Sequence, residues 1–379
     1  FKVYRYDSLS AAPVAVITYN ATADRLGDKF TVTGSTADNS IVIWVATSLG
    51  SAGPGNLLKF TTTDNGQTFT STTIPIAQTA SSAAIGPFPD ASFYHNSHGT
   101  SPTKYASDGT AGGSIPTTVI ATSGSAIRYL NTILGDDYIV ANDLLVASNN
   151  ARIIKVPGGV PASAILFGST PLLGSTSAGG LGDVSVQKVS DFIYNVYVLA
   201  SNNGFGAYQI DLRTPMAGDY YVGADGTGPG GSNPDFPSLR AAFQEINNAN
   251  ITGDCTFYIT SDITEVTTPG GLGLAVNPGS HTITFKPYTG VQPVITLPYT
   301  SDSNSGPSGA MIIGIPMENN IAWNDLRVTR NIIIDGSNTV DGTTRDLTIT
   351  NQTNSVGNAF PVTIVGDVSN VVIDRKSVV

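Results

Sequence analysis

The chain is predicted to be all-β, a β-propeller-like domain followed by a helix-capped right-handed parallel β-helix. Three observations predict this. Strand-like runs recur at short intervals over residues 1–216, separated by turn clusters such as SAGPGN, SDGTAGG and VPGG. A single stretch, Leu239 to Ile246, carries apolar residues at helical spacing. After it the strands grow shorter and richer in Ile, Val and Thr, with Asn, Gly and Asp between them. Strands joined by tight turns, with no long crossovers, suit antiparallel meanders. Short strands with Asn or Gly at the corners suit stacked coils.

Composition bounds the function. At 379 residues the chain can bury two cores. Only 12% of residues are charged, against 41 Gly and 22 Pro, the balance of a turn-rich β protein. A hydrophobic content of 40% is too high for a disordered chain. The net charge of −10 excludes nucleic acid as a partner, since phosphates call for a basic surface. Glycans, cations and other proteins stay compatible. No apolar run reaches the roughly 18 residues of a membrane span. Cys255 is the single cysteine, so no intrachain disulfide forms, and its place in CTFYI predicts a small buried hydrophobe. The chain opens inside the strand-like FKVYRY and closes just after VVID, so it is expected to be a piece of a longer one, with residues 375–379 breaking the strand pattern.

In residues 1–216 the strands include VAVIT, KFTVT, IVIWVAT, LLKFTT, YIVA, RIIKV, SAILF and YNVYVLAS, which as four-stranded meanders make four or five blades; a sandwich is the alternative. The sharpest motif runs Thr62-Thr63-Asp64-Asn65-Gly66-Gln67-Thr68-Phe69. Asp64 is expected to accept bonds from turn amides, Gly66 to take positive φ, and Phe69 to pack beneath the hairpin. The motif resembles the Asp box of sialidase-like and related propellers, with Phe69 where Trp is usual. Its role is structural. Arg5, Arg25, Arg128, Arg152 and Arg213 form no signature for a substrate carboxylate, so sialidase activity is not predicted. From FKVYRYDS through APVAVITY and RLGDKFTV to FGAYQIDL, this half is similar to an uncharacterised propeller-like domain of secreted Bacteroidetes proteins. That resemblance implies a secreted or cell-surface setting. Asp7-Ser8-Leu9 resembles the site at which such bacteria O-glycosylate exported proteins, which makes Ser8 a candidate beside the plainer reading of a solvated turn. His95 and His98 are expected in a loop, FYHNSHGTSP, that lacks a third metal ligand.

The second domain is expected to span 217–379. Leu239, Ala242, Phe243 and Ile246 share one face of a helix predicted over about 238–250, started by Pro237 and Ser238 and ended by Asn247, Asn248, Asn250 and Gly253. Leu326, Leu347 and Val368 recur at intervals of 21 residues, which predicts a coil of that length with Asp325, Asp346 and Asp367 laddered at one corner. GDYYVGADGTG, FPSLRAAFQEIN, TITFKPYTG, IIIDGSN and DLTITN together resemble the start of pectate-lyase-like β-helix domains in secreted Bacteroidetes proteins. The resemblance implies a solenoid whose open end the helix covers.

Lyases of that fold hold Ca²⁺ with carboxylates and use Arg or Lys as base, and its hydrolases use paired Asp. Asp325, Asp346 and Asp367 are the catalytic candidates, with Arg327, Arg345 and Lys286 as cations; the same carboxylates also serve as plain turn formers. Asp225, Asp335 and Asp346 are the metal candidates, Ca²⁺ being the one cofactor they would suit, although neither acidic turn has the EF-hand spacing. His281 has no partner in sequence. The leading functional reading is non-enzymatic: a segment of a large secreted or surface-exposed bacterial protein that contacts extracellular glycans or other surface proteins. Phe93, Tyr94, Tyr220 and Tyr221 are the candidate contacts, with core packing as the plainer role of each. A polysaccharide lyase or glycoside hydrolase, and a self-associating filament or surface-layer subunit, are the alternatives.

Overall fold

A computed structural model describes the chain except for residues 21–23, 50–54, 77–81, 98, 121–125, 144–149, 174–181, 201–203, 266–271, 298–310, 315–327, 340–341, 352–360, 375 and 379. It is mostly β, and it divides into two compact units, Phe1–Leu212 and Arg213–Val379.

The first unit opens with an antiparallel pair, β1 (Lys2–Arg5) and β2 (Val14–Thr18). Four antiparallel meanders follow. They are β3 to β6 (Asp24–Thr33, Val42–Leu49, Asn56–Thr61, Thr70–Pro75) and β7 to β10 (Ser82–Pro87, Phe93–Ser97, Thr103–Tyr105, Ala111–Ser114), then β11 to β14 (Ile127–Ile133, Asp136–Asp143, Asn150–Val156, Ile165–Ser169) and the three-stranded β15 to β17 (Gly182–Lys188, Ile193–Ala200, Gly204–Asp211). Every strand in them pairs with its neighbour in sequence, so no crossover is needed.

The cores lie between successive sheets. Trp44, Leu57 and Ile74 of the first meander pack with Ile85, Phe93 and Tyr105 of the second. On β12 the alternation serves two neighbours: Ile139 and Ala141 pack with Ala84 and Tyr94, while Tyr138 and Val140 pack with Val184 and Val196. The first strands adjoin in series, β7 beside β3, β11 beside β7, and β15 beside β11. Lys29 of β3 donates to the Gly182 carbonyl of β15 at 3.5 Å, which links the last meander to the first. The result is a propeller-like arrangement of four blades.

The second unit contains β18 (Pro215–Val222), the helix α1 (Leu239–Asn248), and β19 to β29: Asn250–Ile259, Ile263–Thr264, Leu272–Leu274, Ile283–Pro287, Val294–Leu297, Met311–Ile313, Thr329–Asp335, Leu347–Asn351, Val362–Ile364, Val368–Asp374 and Lys376–Val378. The strands form three parallel sheets, ordered β18-β19-β22-β25-β28, β20-β23-β26-β29 and β21-β24-β27. From β19 onward, consecutive strands visit the three sheets in rotation. All three turn apolar residues into one core, among them Phe257, Ile283 and Ile332 from the first, Ile295 and Ile349 from the second, Leu272 and Ile313 from the third.

The 21-residue interval is not the repeat that brings strands together. Partners within the first sheet stand 28, 49 and 39 residues apart, at Cys255, Ile283, Ile332 and Val371. Leu347 lies on β26 and Val368 on β28, in different sheets. The interval therefore spans part of one circuit of the sheets, and unequal loop lengths hide the true period from sequence.

In α1 the predicted face, Leu239, Ala242, Phe243 and Ile246, is buried in that core, with Phe243 edge-on to Phe285 at 5.4 Å. Ser238 caps the helix, accepting from the Ala241 amide at 3.1 Å. Asn247, predicted only as a helix stop, does more. Its amide donates to the Gly273 carbonyl and accepts from the Ala275 amide, each at 2.8 Å. It thus completes the outer edge of β21 as another strand would. Glu265 accepts from the Arg240 amide at 3.2 Å and satisfies a free N–H of the first helical turn.

Candidate functional site

On the outer face of the β18-β19-β22-β25-β28 sheet, parallel register lines up one side chain per strand: Tyr221, Tyr258, Lys286, then Asp335 and Asp374. The period of two along each strand decides which residues face out. Tyr220 and Phe257 point into the core, stacked at 5.1 Å, so their neighbours Tyr221 and Tyr258 face outward. These two stack at 5.6 Å with planes 20° apart, and Tyr288, just past β22, stands at right angles to both at 5.7 and 6.0 Å. All three rings are half-buried. Desolvation, and behind it the Asp219 carboxylate, raises the phenols of Tyr221 and Tyr258, so both keep their proton.

Beside the rings lies an ion pair. Lys286 donates to Asp335 at 3.2 Å and to the Thr339 carbonyl at 3.4 Å. Asp335 also accepts from the Ser337 amide at 3.0 Å. Asp346 closes the same loop, accepting from Thr344 at 2.5 Å, from the Asn338 amide at 3.0 Å and from Gln292 at 3.1 Å. The Thr344 hydroxyl, chief among these donors, lowers its pKa. The patch therefore offers flat aromatic faces beside a largely buried ion pair, over a loop whose carboxylates are already engaged by donors of their own.

The structure redistributes the other candidates. Phe93 and Tyr94 are not exposed loop aromatics but lie fully buried in β8, between β7 and β9. FYHNS carries polar side chains, yet both its faces are covered by neighbouring sheets, so no ligand reaches those rings. His95 sits in the same strand, not in a loop, and burial pulls its imidazole down to about 4; His98 lies outside the described residues. Tyr220 belongs to the core.

Asp346 and Asp367 do not stack, since they precede strands of different sheets. Asp325 and Arg327 lie outside the described residues, and Arg345 is exposed. Among the described residues no group of three or more His, Cys, Asp or Glu is placed to hold a metal, and Asp225 sits on an exposed turn after β18. His281 is 3.8 Å from Asp254. Cys255 is buried and donates to the Gly253 carbonyl at 3.5 Å.

In the first unit, Asp64 accepts from the Gln67 and Thr68 amides at 3.0 and 2.9 Å and from the Thr62 and Thr68 hydroxyls at 2.7 and 2.5 Å. These bonds, the Thr68 hydroxyl first, hold its carboxyl far below the usual range. Gly66 has φ +76°, and Phe69 packs against the cluster of Ile17, Ile43, Val45, Leu58 and Phe60. Ser8 is exposed between β1 and β2, 3.3 Å from Ser10.

Sequence missed Tyr258 and Tyr288. The available signal was a Tyr on each of three successive segments, YY, FYI and KPY, but only the pairing register shows that they meet.

No family model matches the chain, and no curated protein matches it in sequence. No helix among the described residues is long and apolar enough to cross a membrane. Solved structures that it resembles include a DUF4623 family protein from Bacteroides eggerthii, at 11% identity and a TM-score of 0.38, over 56% of this chain and 53% of that one. They also include NanB with Optactamide, at 11% identity and 0.32, over 48% and 30%, and a variant of the NanB sialidase from Streptococcus pneumoniae, at 12% identity and 0.30, over 45% and 29%. The chain thus spans about half the length of the first and less than a third of the other two, with scores too low to carry an activity across.

Proposed function

We propose that the chain is a non-enzymatic segment of a large secreted or surface-exposed bacterial protein, and that its second unit is a helix-capped right-handed parallel β-helix that contacts extracellular glycan. The rotation of consecutive strands through three parallel sheets supports the β-helix. The completion of the β21 edge by Asn247 supports α1 as its cap.

One observation carries the glycan reading: the Tyr221–Tyr258 stack, walled by Tyr288 and flanked by Lys286. The apolar face of a pyranose ring packs on aromatic faces, while its hydroxyls bond the neighbouring phenols. Asp335 and Asp346 are held as acceptors by their own loop, which favours binding over cleavage. The exposed Ser8 of Asp7-Ser8-Leu9 is assigned as an O-glycosylation site of the exported protein.

A glycan-array screen of the chain, with and without Ca²⁺, tests the reading. Tyr221→Ala and Tyr258→Ala should each abolish retention of any neutral glycan the parent binds. Retention unchanged in both variants, or shortened products with new unsaturated ends, would overturn it.

A further inference from the structure

The first unit holds a cavity of about 680 Å³ where the first strands of its four meanders converge. It is lined by Thr31 to Thr33 of β3, Pro87 of β7, Arg128 and Tyr129 of β11, and Ser185 and Val186 of β15. The second and third strands of the first meander add Trp44 and Lys59. The volume falls within the range of small-molecule sites and is far larger than an inorganic ion needs.

Its charge is opposite to that of the chain. Among the described residues Lys59 and Arg128 line it and no Asp or Glu does, although the chain carries −10 overall. Arg128 is partly neutralised, by Asp183 at 3.0 Å and the Ile127 carbonyl at 2.9 Å. Lys59 makes no ion pair among the described residues; its ammonium lies over the Trp44 ring, 5.1 Å from the centroid. A half-buried ammonium held on an aromatic face is charge without a counter-ion.

The remaining lining limits the ligand further. Phe88 and Tyr129 meet at 4.5 Å with their planes 48° apart and add apolar wall. Thr31, Thr33 and Ser185 add hydroxyls that both donate and accept. Cation, aromatic wall and hydroxyls together fit a ligand with one carboxylate, a ring with an apolar face, and several hydroxyls.

We propose that this cavity binds a small acidic sugar of the uronic-acid class, its carboxylate paired with Lys59 and its ring against the half-buried Tyr129. This site is separate from the aromatic row of the second unit and does not rest on the glycan reading made there.

Isothermal titration of the chain with D-glucuronate and D-galacturonate tests the proposal, with D-galactose and benzoate as comparisons. Saturable binding of at least one uronate is expected, weakened about tenfold or more when the carboxylate is absent, as in galactose. Lys59→Met, which keeps the aliphatic stem, should weaken the uronate by a similar factor, and Tyr221→Ala should leave it unchanged. Should Lys59→Met fail to fold, the galactose comparison and the loss of uronate affinity with added salt decide the question on the parent chain. No saturable binding of either uronate, equal affinity for galactose, or binding of benzoate alone would overturn the proposal.

Discussion

Lys286 of β22 and Asp335 of β25 pair across adjacent strands at 3.2 Å, both largely withdrawn from solvent, with side chains 11% and 19% exposed. Removing one partner strands the other in a poorly solvated place. Asp335→Ala is expected to destabilise the second unit by about 2–3 kcal/mol. Replacing both, as Lys286→Met with Asp335→Leu, should recover much of that loss, because no uncompensated charge remains. Urea denaturation of the two variants against the parent checks this; an equal loss in both would show that packing, not the ion pair, is at stake.

Asn247 supplies both a donor and an acceptor to the outer edge of β21. Asn247→Leu, similar in size, leaves the Gly273 carbonyl and the Ala275 amide without these bonds. The expected cost is about 2–3 kcal/mol, more than the ~1 kcal/mol for losing the Ser238 cap through Ser238→Ala. Hydrogen exchange at Ala275 is a direct readout and should accelerate in Asn247→Leu but not in Ser238→Ala.

Burial holds His95 neutral, with a folded pKa of about 4 against roughly 6.5 in the unfolded chain. Above the unfolded value neither state binds the proton, and the residue adds no pH dependence. As pH falls from about 6.5 towards 4, the unfolded state takes the proton first, so stability is lost across that window by up to ~3 kcal/mol. Denaturation midpoints at pH 7 and pH 4.5 should therefore differ less in His95→Gln than in the parent. An identical difference in both proteins would contradict the buried neutral imidazole.

Cys255 is 1% exposed, and burial, with a smaller push from Asp254, raises its thiol to about 11. Little thiolate forms at pH 8, and a reagent has no path to what does. Native protein should react with a thiol-specific disulfide reagent only as fast as the second unit opens, whereas denatured protein should release one equivalent at once. Prompt reaction of the native protein would show that β19 is less well covered than its place in the core implies.

Local signals in the sequence carried the strand-rich class, the single helix and its buried face. Periods of two and 3.6 are short-range properties, and Leu239, Ala242, Phe243 and Ile246 display theirs within two turns. The Asp64 turn was likewise legible, because its acceptors and donors lie within a few residues of one another.

What only the tertiary structure decided was adjacency. Whether Phe93 and Tyr94 face solvent depends on the sheets either side of β8, which their own neighbours in sequence do not encode. The repeat length of the second unit depends on how far the chain travels between paired strands, and its loops are unequal, so the regular 21-residue interval misdirected the carboxylate ladder. Tyr221, Tyr258 and Lys286 become one surface through parallel register, and Lys59 and Arg128 share one cavity through the convergence of separate meanders. A binding surface is set by which strands pair, and pairing is won by core burial on the opposite face, so the residues that form the surface carry no mark of it in sequence.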